Sequence, residues 1–210
     1  MTRFPNEINL LADVNSYNLY STRNSDNKFT SFKTRVLTRD KHSCSYCNFR
    51  SSKFMQVINK DGNYLNNSID NLTTACPFCA QCHFIPFVGK VSNTGGILIH
   101  LPDMSQGDLN ALCHVIFCLV QNQAGNYKSA EKIYKQLKLR SKSVDDSWGK
   151  GLSNPALFGQ MIIDTPLDKI KTVKNTLLKD LRLLPSFDDF KEHISIWSKD
   201  ALSQGITDPV

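Results

Sequence analysis

Two Cys-x2-Cys pairs limit what this chain can fold into more than any other feature of its sequence. Cys44 and Cys47 form the first pair, and Cys76 and Cys79 form the second, after 28 intervening residues. Two tight turns that each carry such a pair can direct four thiolates at one point, which is the closed tetrahedral ligand set of a structural zinc site. We therefore expect one structural Zn2+ per chain, held by Cys44, Cys47, Cys76 and Cys79.

A further cysteine leaves the fourth ligand open. Cys82 lies three residues after Cys79 in the stretch CPFCAQCH, which ends with His83. Cys79 is the favoured ligand because its spacing from Cys76 repeats that of the first pair, whereas Cys82 could replace it or lie beside the site. A thioredoxin-like redox site is disfavoured, because it uses a single Cys-x2-Cys pair that opens a helix within a βαβ unit.

The composition indicates a folded protein of a reducing compartment. Five of the seven cysteines lie between residues 44 and 82, which favours metal binding over a disulfide framework. The first residues lack the apolar core of a secretory signal, and the longest apolar stretch, residues 111–120, is about half of the roughly 20 residues that span a bilayer. We expect a cytoplasmic protein that meets a membrane only through a partner.

The residues around the cysteines predict a small ββα unit. A short helix is expected over residues 32–40, a strand over residues 54–58, a turn at residues 61–63 and a second helix from Pro77, which suits the first position of a helix. This order, together with the stretches VLTRDKHSCSYC and DNLTTACPFC, resembles the HNH endonuclease fold with its four-cysteine zinc frame.

The same region lacks the residues with which HNH nucleases cut. Cleavage requires a histidine in the strand before the long loop, to activate water, and a divalent metal on the phosphate. No histidine occurs between residues 48 and 82, and neither Gln56 nor Asn59 can take up a proton at neutral pH. Ala80 stands where the nucleases usually place a His or Asn ligand, and His83 lies too far along to replace it. We therefore predict no catalytic residues and no enzymatic activity.

Residues 105–210 predict a bundle of about five helices. Ser105 and Asp108 favour the start of a helix that is apolar nearly all round, so it should form the buried centre, with Cys113, His114 and Cys118 as core residues. Further helices are expected from Tyr127, from Asn154, from Thr165 through Leu181 and from Ser186 through Ala201. The expected fold class is α+β, with an HNH-like ββα zinc unit over residues 1–104 and a helical bundle packed on it over residues 105–210.

Basic residues gather in two places. Residues 28–60 carry eight lysines and arginines and one acid, and a second group lies at Lys132, Lys135, Lys138, Arg140 and Lys142. Such surfaces attract either nucleic-acid phosphates or an acidic protein segment. We favour the protein segment because the residues for cutting are missing, and a nucleic-acid-binding HNH protein or nuclease is the alternative.

A resemblance to a known family rests on four longer stretches. These are TACPFCAQCHF, LIHLPDMSQGDLNALCHVIFCLVQN, NPALFGQMIID and LLKDLRLLPS, which are similar to the IcmJ/DotN family of the Dot/Icm type IVB secretion system over residues 17–197. Membership would imply a cytoplasmic accessory subunit of the type IV coupling complex, recruited to the inner membrane. Its partner would be the C-terminal extension of the coupling ATPase DotL, which also carries the IcmS/IcmW adaptor. Its HNH-like zinc fold would serve as a structural binding module, with no small-molecule substrate.

Overall fold

The computed structural model describes residues 7–166, 168, 169 and 178–203 and has a mixed helix-and-strand fold. In chain order, the elements are α1 (Val14–Asn24), α2 (Asn27–Arg39), β1 (Gln56–Asn59), β2 (Leu72–Ala75), α3 (Pro77–Ala80) with a 3-10 helix (Gln81–Phe87), β3 (Gly96–His100), α4 (Gln106–Asn122), α5 (Tyr127–Leu139), α6 (Ser141–Trp148), α7 (Pro155–Ile163), β4 (Leu181–Pro185) and α8 (Lys191–Ser203). The predicted α+β class is confirmed. In the described part of the chain, no helix combines the length and the apolar character needed to cross a bilayer.

Strands β1 and β2 form an antiparallel hairpin that helix α2 covers. Val36 of α2 is fully buried together with Val57 of β1 and Leu72 of β2. The predicted strand over residues 54–58 starts two residues too early, because Phe54 has a φ of 63°, which an extended strand does not contain. The hairpin leads directly into α3, so the two cysteine pairs lie close to its ends.

Helix α2 begins five residues before the predicted start at residue 32. Its N-cap is Asp26, whose side chain accepts a hydrogen bond from the backbone N–H of Lys28. Aspartate is a strong N-cap residue because its oxygen satisfies one of the free N–H groups of the first turn. The extra turn buries Phe29 next to Val36.

Strand β4 replaces the end of a predicted helix. The helix expected from Thr165 through Leu181 falls largely on residues 167 and 170–177, which lie outside the described residues, and Leu181 opens a strand instead. β4 pairs antiparallel with β3 along all five residues of each strand. The apolar residues near Leu181 fit both a helical and a strand period, so the local pattern could not separate the two. The prediction that residues 105–210 are purely helical was therefore wrong.

The β3–β4 pair joins residues from both sides of the predicted boundary at residues 104/105. Leu98 of β3 and Leu183 of β4 are both fully buried in one large hydrophobic core. The division into residues 1–104 and 105–210 remains a prediction.

Helix α4 begins as predicted and packs against α5, α8 and β4. Ser105 Oγ accepts a hydrogen bond from the backbone N–H of Asp108 at 3.1 Å. Leu109 and Phe117 are buried, and within this helix only Asp108 and Val115 are exposed. The predicted central position of the helix is therefore confirmed, although its burial is not complete.

The last helix, α8, begins later than predicted. Ser186 Oγ accepts a hydrogen bond from the backbone N–H of Asp189 at 3.3 Å, but this contact closes a turn that precedes the helix. Phe187 and Phe190 lie in that turn, and α8 starts at Lys191. Helices α5 and α7 begin where the sequence predicts them.

Candidate metal centre

The first cysteine pair lies on a tight turn between α2 and β1. The backbone N–H of Cys44 donates to the carbonyl oxygen of Phe49 at 2.8 Å, and that of Asn48 donates to the carbonyl oxygen of Cys44 at 3.0 Å. Asn48 adopts a φ of 60°, a left-handed conformation that asparagine tolerates better than most residues. These bonds fold the chain back on itself, so that Cys44 and Cys47 share one side of the turn.

The second pair lies at the start of α3. Cys76 is the N-cap, Pro77 occupies the first helical position, and the backbone N–H of Ala80 donates to the carbonyl oxygen of Cys76 at 2.8 Å. One helical turn therefore separates Cys76 from Cys79. The missing N–H of proline costs nothing at this position, since the first N–H groups of a helix have no internal partner.

The four sulfurs of the two pairs form one buried cluster. The Sγ atoms of Cys44, Cys47, Cys76 and Cys79 all lie within 4.8 Å of one another, and those of Cys47 and Cys76 are 3.6 Å apart. A disulfide needs about 2.05 Å. Tetrahedral coordination with metal–sulfur bonds of about 2.3 Å separates the sulfurs by roughly 3.8 Å. The cluster is therefore compatible with a structural metal ion, and the residues present fit it.

Cys82 and His83 lie outside the four-sulfur cluster. The Cys82 thiol is fully buried and donates to the carbonyl oxygen of Phe78 at 3.5 Å, and burial raises its pKa far above the usual range. His83 Nδ1 lies 3.1 Å from the hydroxyl oxygen of Tyr64, and burial lowers the pKa of His83 to about 4. Both side chains are thus neutral core groups at physiological pH.

Burial and mutual contacts shift the pKa values of thiols in the cluster. Burial raises the pKa of the Cys76 and Cys79 thiols well above the usual range, and their contacts with Cys44 and Cys47 raise it further. At Cys44, burial also acts to raise the pKa, but hydrogen bonds with the other three thiols hold it well below the usual range. A dication would favour the thiolate form at all four sulfurs, and it would supply a cross-link between the two turns.

Comparison with known proteins identifies the family to which the chain belongs. No family model matches the chain. The type 4 apparatus protein DotN of Legionella pneumophila (strain Philadelphia 1) is 41% identical over 198 residues, which cover 94% of this chain and 92% of that protein. The chain belongs to the DotN family. The predicted IcmJ/DotN membership is therefore confirmed.

In this member of the DotN family, helix α4 supplies polar contacts to the second cysteine pair. Asn110 Nδ2 donates to Cys79 Sγ at 3.1 Å, and His114 Nε2 lies 3.3 Å from Cys76 Sγ. His114 was expected to be a core residue, and Asn110 was not among the predicted site residues. The signal that could have found them is the spacing of four positions between two polar residues in an otherwise apolar stretch, which places both on one face of a helix.

Aromatic rings hold His114 in place. Its ring stacks on Phe49 with a centroid distance of 3.6 Å and on Phe78 with a centroid distance of 4.2 Å. Trp197 of α8 meets His114 edge-on, with centroids 5.2 Å apart. Burial lowers the pKa of His114 to about 3, so the imidazole is neutral.

Proposed function

We propose that this chain is a non-enzymatic accessory subunit of the type IV coupling complex, stabilised by zinc, which binds the C-terminal extension of the coupling ATPase DotL. The observation that carries the proposal is the identity of 41% over nearly the full length of a type 4 apparatus protein. The IcmS/IcmW adaptor joins indirectly through DotL, and the chain acts on the cytoplasmic side of the inner membrane, where DotL recruits it.

We propose that the four cysteines, strands β1 and β2 and helix α3 form an HNH-like scaffold without catalytic residues. An antiparallel hairpin followed by a short helix supports this, since β1, β2 and α3 occur in that order. Four thiolate donors suit zinc, which prefers soft sulfur and has no redox chemistry. We propose Cys44, Cys47, Cys76 and Cys79 as its ligands, because their sulfurs converge while Cys82 bonds elsewhere.

The contacts of Asn59, at the end of β1, argue against nuclease chemistry. Its Nδ2 donates to the carbonyl oxygens of Asn63 at 3.0 Å and Asn66 at 2.7 Å, and its Oδ1 accepts from Arg23. The Nδ2 atom thus holds the loop and the Oδ1 atom holds α1, and an amide cannot act as a general base. These contacts support a structural role for Asn59.

Two other candidates for catalysis in this region are also engaged. Asn71 Nδ2 donates to Asp61 Oδ1 at 2.9 Å and to the carbonyl oxygen of Asn66 at 2.8 Å. His83 is 3% exposed and bonded to Tyr64, so its imidazole does not reach a substrate. A general base must lie within hydrogen-bond reach of the proton it takes.

We place the DotL segment in a depression of about 540 Å³ between the N-terminal segment and β4. Its lining includes Glu7, Ile8, Leu10, Leu11, Lys179 and Arg182. Apolar side chains in a groove would supply most of the affinity, and two cations against one acid would favour an acidic, amphipathic segment.

Calorimetric titration with the isolated C-terminal tail of the coupling ATPase tests this proposal. We expect a 1:1 complex with modest salt dependence, which Lys179→Glu weakens. Lys150→Glu is the matched control, because it makes the same charge change at an exposed residue that neither lines the depression nor belongs to the two basic groups. Absence of binding to the tail, together with tight and salt-sensitive binding to DNA, would refute the proposal.

The basic surface supports a second candidate, nucleic-acid binding. In residues 28–60, Lys28, Arg35, Lys41, Arg50 and Lys60 are exposed. Phosphate contacts release counterions, so binding to DNA would weaken steeply as salt increases. Fluorescence anisotropy of a labelled duplex at two salt concentrations separates the candidates, because a steep slope favours nucleic acid and a flat, weak signal favours the protein segment.

A further inference from the structure

The hydrogen bonds around Asn110 determine which way its side-chain amide points. The backbone N–H of Leu183 donates to Gln106 Oε1 at 2.8 Å, and Gln106 Nε2 donates to the carbonyl oxygen of Leu183 at 2.9 Å. Gln106 Nε2 also donates to Asn110 Oδ1 at 3.0 Å. Because the backbone decides which end of the Gln106 amide is the donor, Asn110 must turn its own NH2 group toward Cys79.

The same reasoning applies to His114. In the metal-bound state proposed above, Cys76 is a thiolate and offers only an acceptor, so the imidazole nitrogen that lies 3.3 Å from its sulfur would carry the hydrogen. The stacked rings of Phe49 and Phe78 leave the imidazole little freedom to rotate away from the sulfur. Helix α4 thus presents two N–H donors, four positions apart, to both sulfurs of the second pair.

We propose that Asn110 and His114 are positioning residues of the metal centre, which retain the ion by donating N–H···S hydrogen bonds to Cys79 and Cys76. This inference rests on the proposed metal binding by the four cysteines. Four thiolates around a dication leave two excess negative charges, and hydrogen bonds to an ionised acceptor are stronger than neutral ones. They disperse that charge, orient the sulfurs and disfavour protonation of the thiolate, which is the step that releases a ligand.

The rate at which the metal-loaded protein releases its ion to an excess of a chromogenic chelator tests the proposal. We expect Asn110→Leu and His114→Phe each to release zinc about 10 to 100 times faster than the unsubstituted protein, the usual effect of losing a contact behind a ligand. His114→Phe keeps the aromatic stack and removes only the donor. His114→Gln, which restores an N–H at a similar reach, should recover much of the slow release.

A matched control lies on the same helix. Asn122 Nδ2 donates to the sulfur of Cys118, at 3.6 Å, and this thiol is outside the four-sulfur cluster. Asn122→Leu removes an amide–sulfur contact from α4 without touching the centre, so it should release zinc at the unsubstituted rate.

Cobalt substitution gives a spectroscopic readout that a merely structural role would not change. Loss of a hydrogen bond makes the thiolate easier to oxidise, so the sulfur-to-cobalt charge-transfer band should move to longer wavelength in Asn110→Leu and His114→Phe but not in Asn122→Leu. The proposal would be wrong if Asn110→Leu and His114→Phe released zinc at the rate of the unsubstituted protein and left the charge-transfer band at its wavelength. If Asn110→Leu is insoluble, His114→Phe and His114→Gln decide the case.

The metal content of the unsubstituted protein separates this inference from the function proposed above. Protein that binds no metal would refute the metal centre itself. Protein that binds metal but releases it at the same rate from all variants would refute only the role of Asn110 and His114. Binding to the coupling ATPase tail is measured independently of both.

Discussion

Arg23 donates a hydrogen bond to the side-chain oxygen of Asn59, although the two residues lie 36 positions apart in the sequence. The same guanidinium donates to the carbonyl oxygen of Val57 at 2.8 Å and lies 4.4 Å from the centroid of the Phe29 ring. A buried cation and a buried amide therefore fix the end of β1. In the HNH-like scaffold proposed above, this end of the hairpin is where a nuclease would carry its catalytic base.

We predict that Asn59→Ala lowers the free energy of unfolding by about 3 kcal/mol, because it breaks the three hydrogen bonds of a fully buried side chain and removes one acceptor of the charged Arg23. Asn67→Ala is the control, since exposed Asn67 loses a single bond from Arg23, of 2.7 Å. Its expected cost is about 1 kcal/mol. Chemical denaturation of both variants measures the difference, and equal costs would contradict the structural role of Asn59.

We predict one zinc ion per chain in freshly purified protein. Cys44→Ser should lose the ion and much of its stability, because metal binding contributes directly to folding in such sites. Cys82→Ser should keep the ion, since the Cys82 thiol contacts the carbonyl oxygen of Phe78. Elemental analysis measures both variants, and a Cys82→Ser protein without zinc beside a Cys79→Ser protein that retains it would show that the ligand choice is wrong.

We predict no cleavage of plasmid DNA with magnesium, manganese or nickel. Asn59 and Asn71 use their amides to hold the loop, and His83 is buried against Tyr64. An agarose-gel assay with a known HNH nuclease as the positive control measures this. Cleavage that Asn71→Ala or His83→Ala abolishes would overturn the prediction.

We predict that His83 makes stability depend on pH. Its pKa is about 4 in the folded protein, because burial disfavours the charged form, and about 6.5 in the unfolded chain. The unfolded chain therefore binds the proton first, so this contribution is complete above pH 6.5 and is lost as the pH falls toward 4. Relative to His83→Phe, the unfolding free energy should fall by about 1.4 kcal/mol per pH unit below pH 6.

The comparison between pH 7 and pH 5 isolates this histidine, because the metal contributes to both proteins alike. His83→Phe also removes the hydrogen-bond partner of the Tyr64 hydroxyl, but that cost does not depend on pH between 5 and 7. Parallel pH profiles for the two proteins would show that folding does not lower the pKa of His83.

The sequence predicted the features that depend on local spacing. Each cysteine pair lies on a short turn, and the start of α4 follows from the short-range bond between Ser105 and Asp108. The two pairs meet because the β1–β2 hairpin joins them, although Cys47 and Cys76 are 29 positions apart. The repeated Cys-x2-Cys spacing predicted that meeting. The ligands themselves and the zinc remain predictions.

Features that depend on long-range packing were missed. Leu181 was placed in a helix because the apolar pattern around it fits two periods, and only its pairing with His100 in β3 selects the strand. Asn110 and His114 are 31 and 38 positions from the cysteines they contact, a relationship that spacing in one chain does not reveal. The family resemblance, which the identity with DotN confirms, did not depend on either contact.

Co-purification with the C-terminal extension of the coupling ATPase, in the presence of IcmS and IcmW, decides whether this chain is a subunit of the coupling complex. We expect the chain to elute with the extension in a complex of one copy each, with a mass that light scattering confirms. The IcmS/IcmW adaptor serves as an internal control for a correctly folded extension. An extension that retains IcmS and IcmW while this chain elutes alone would refute the proposed function.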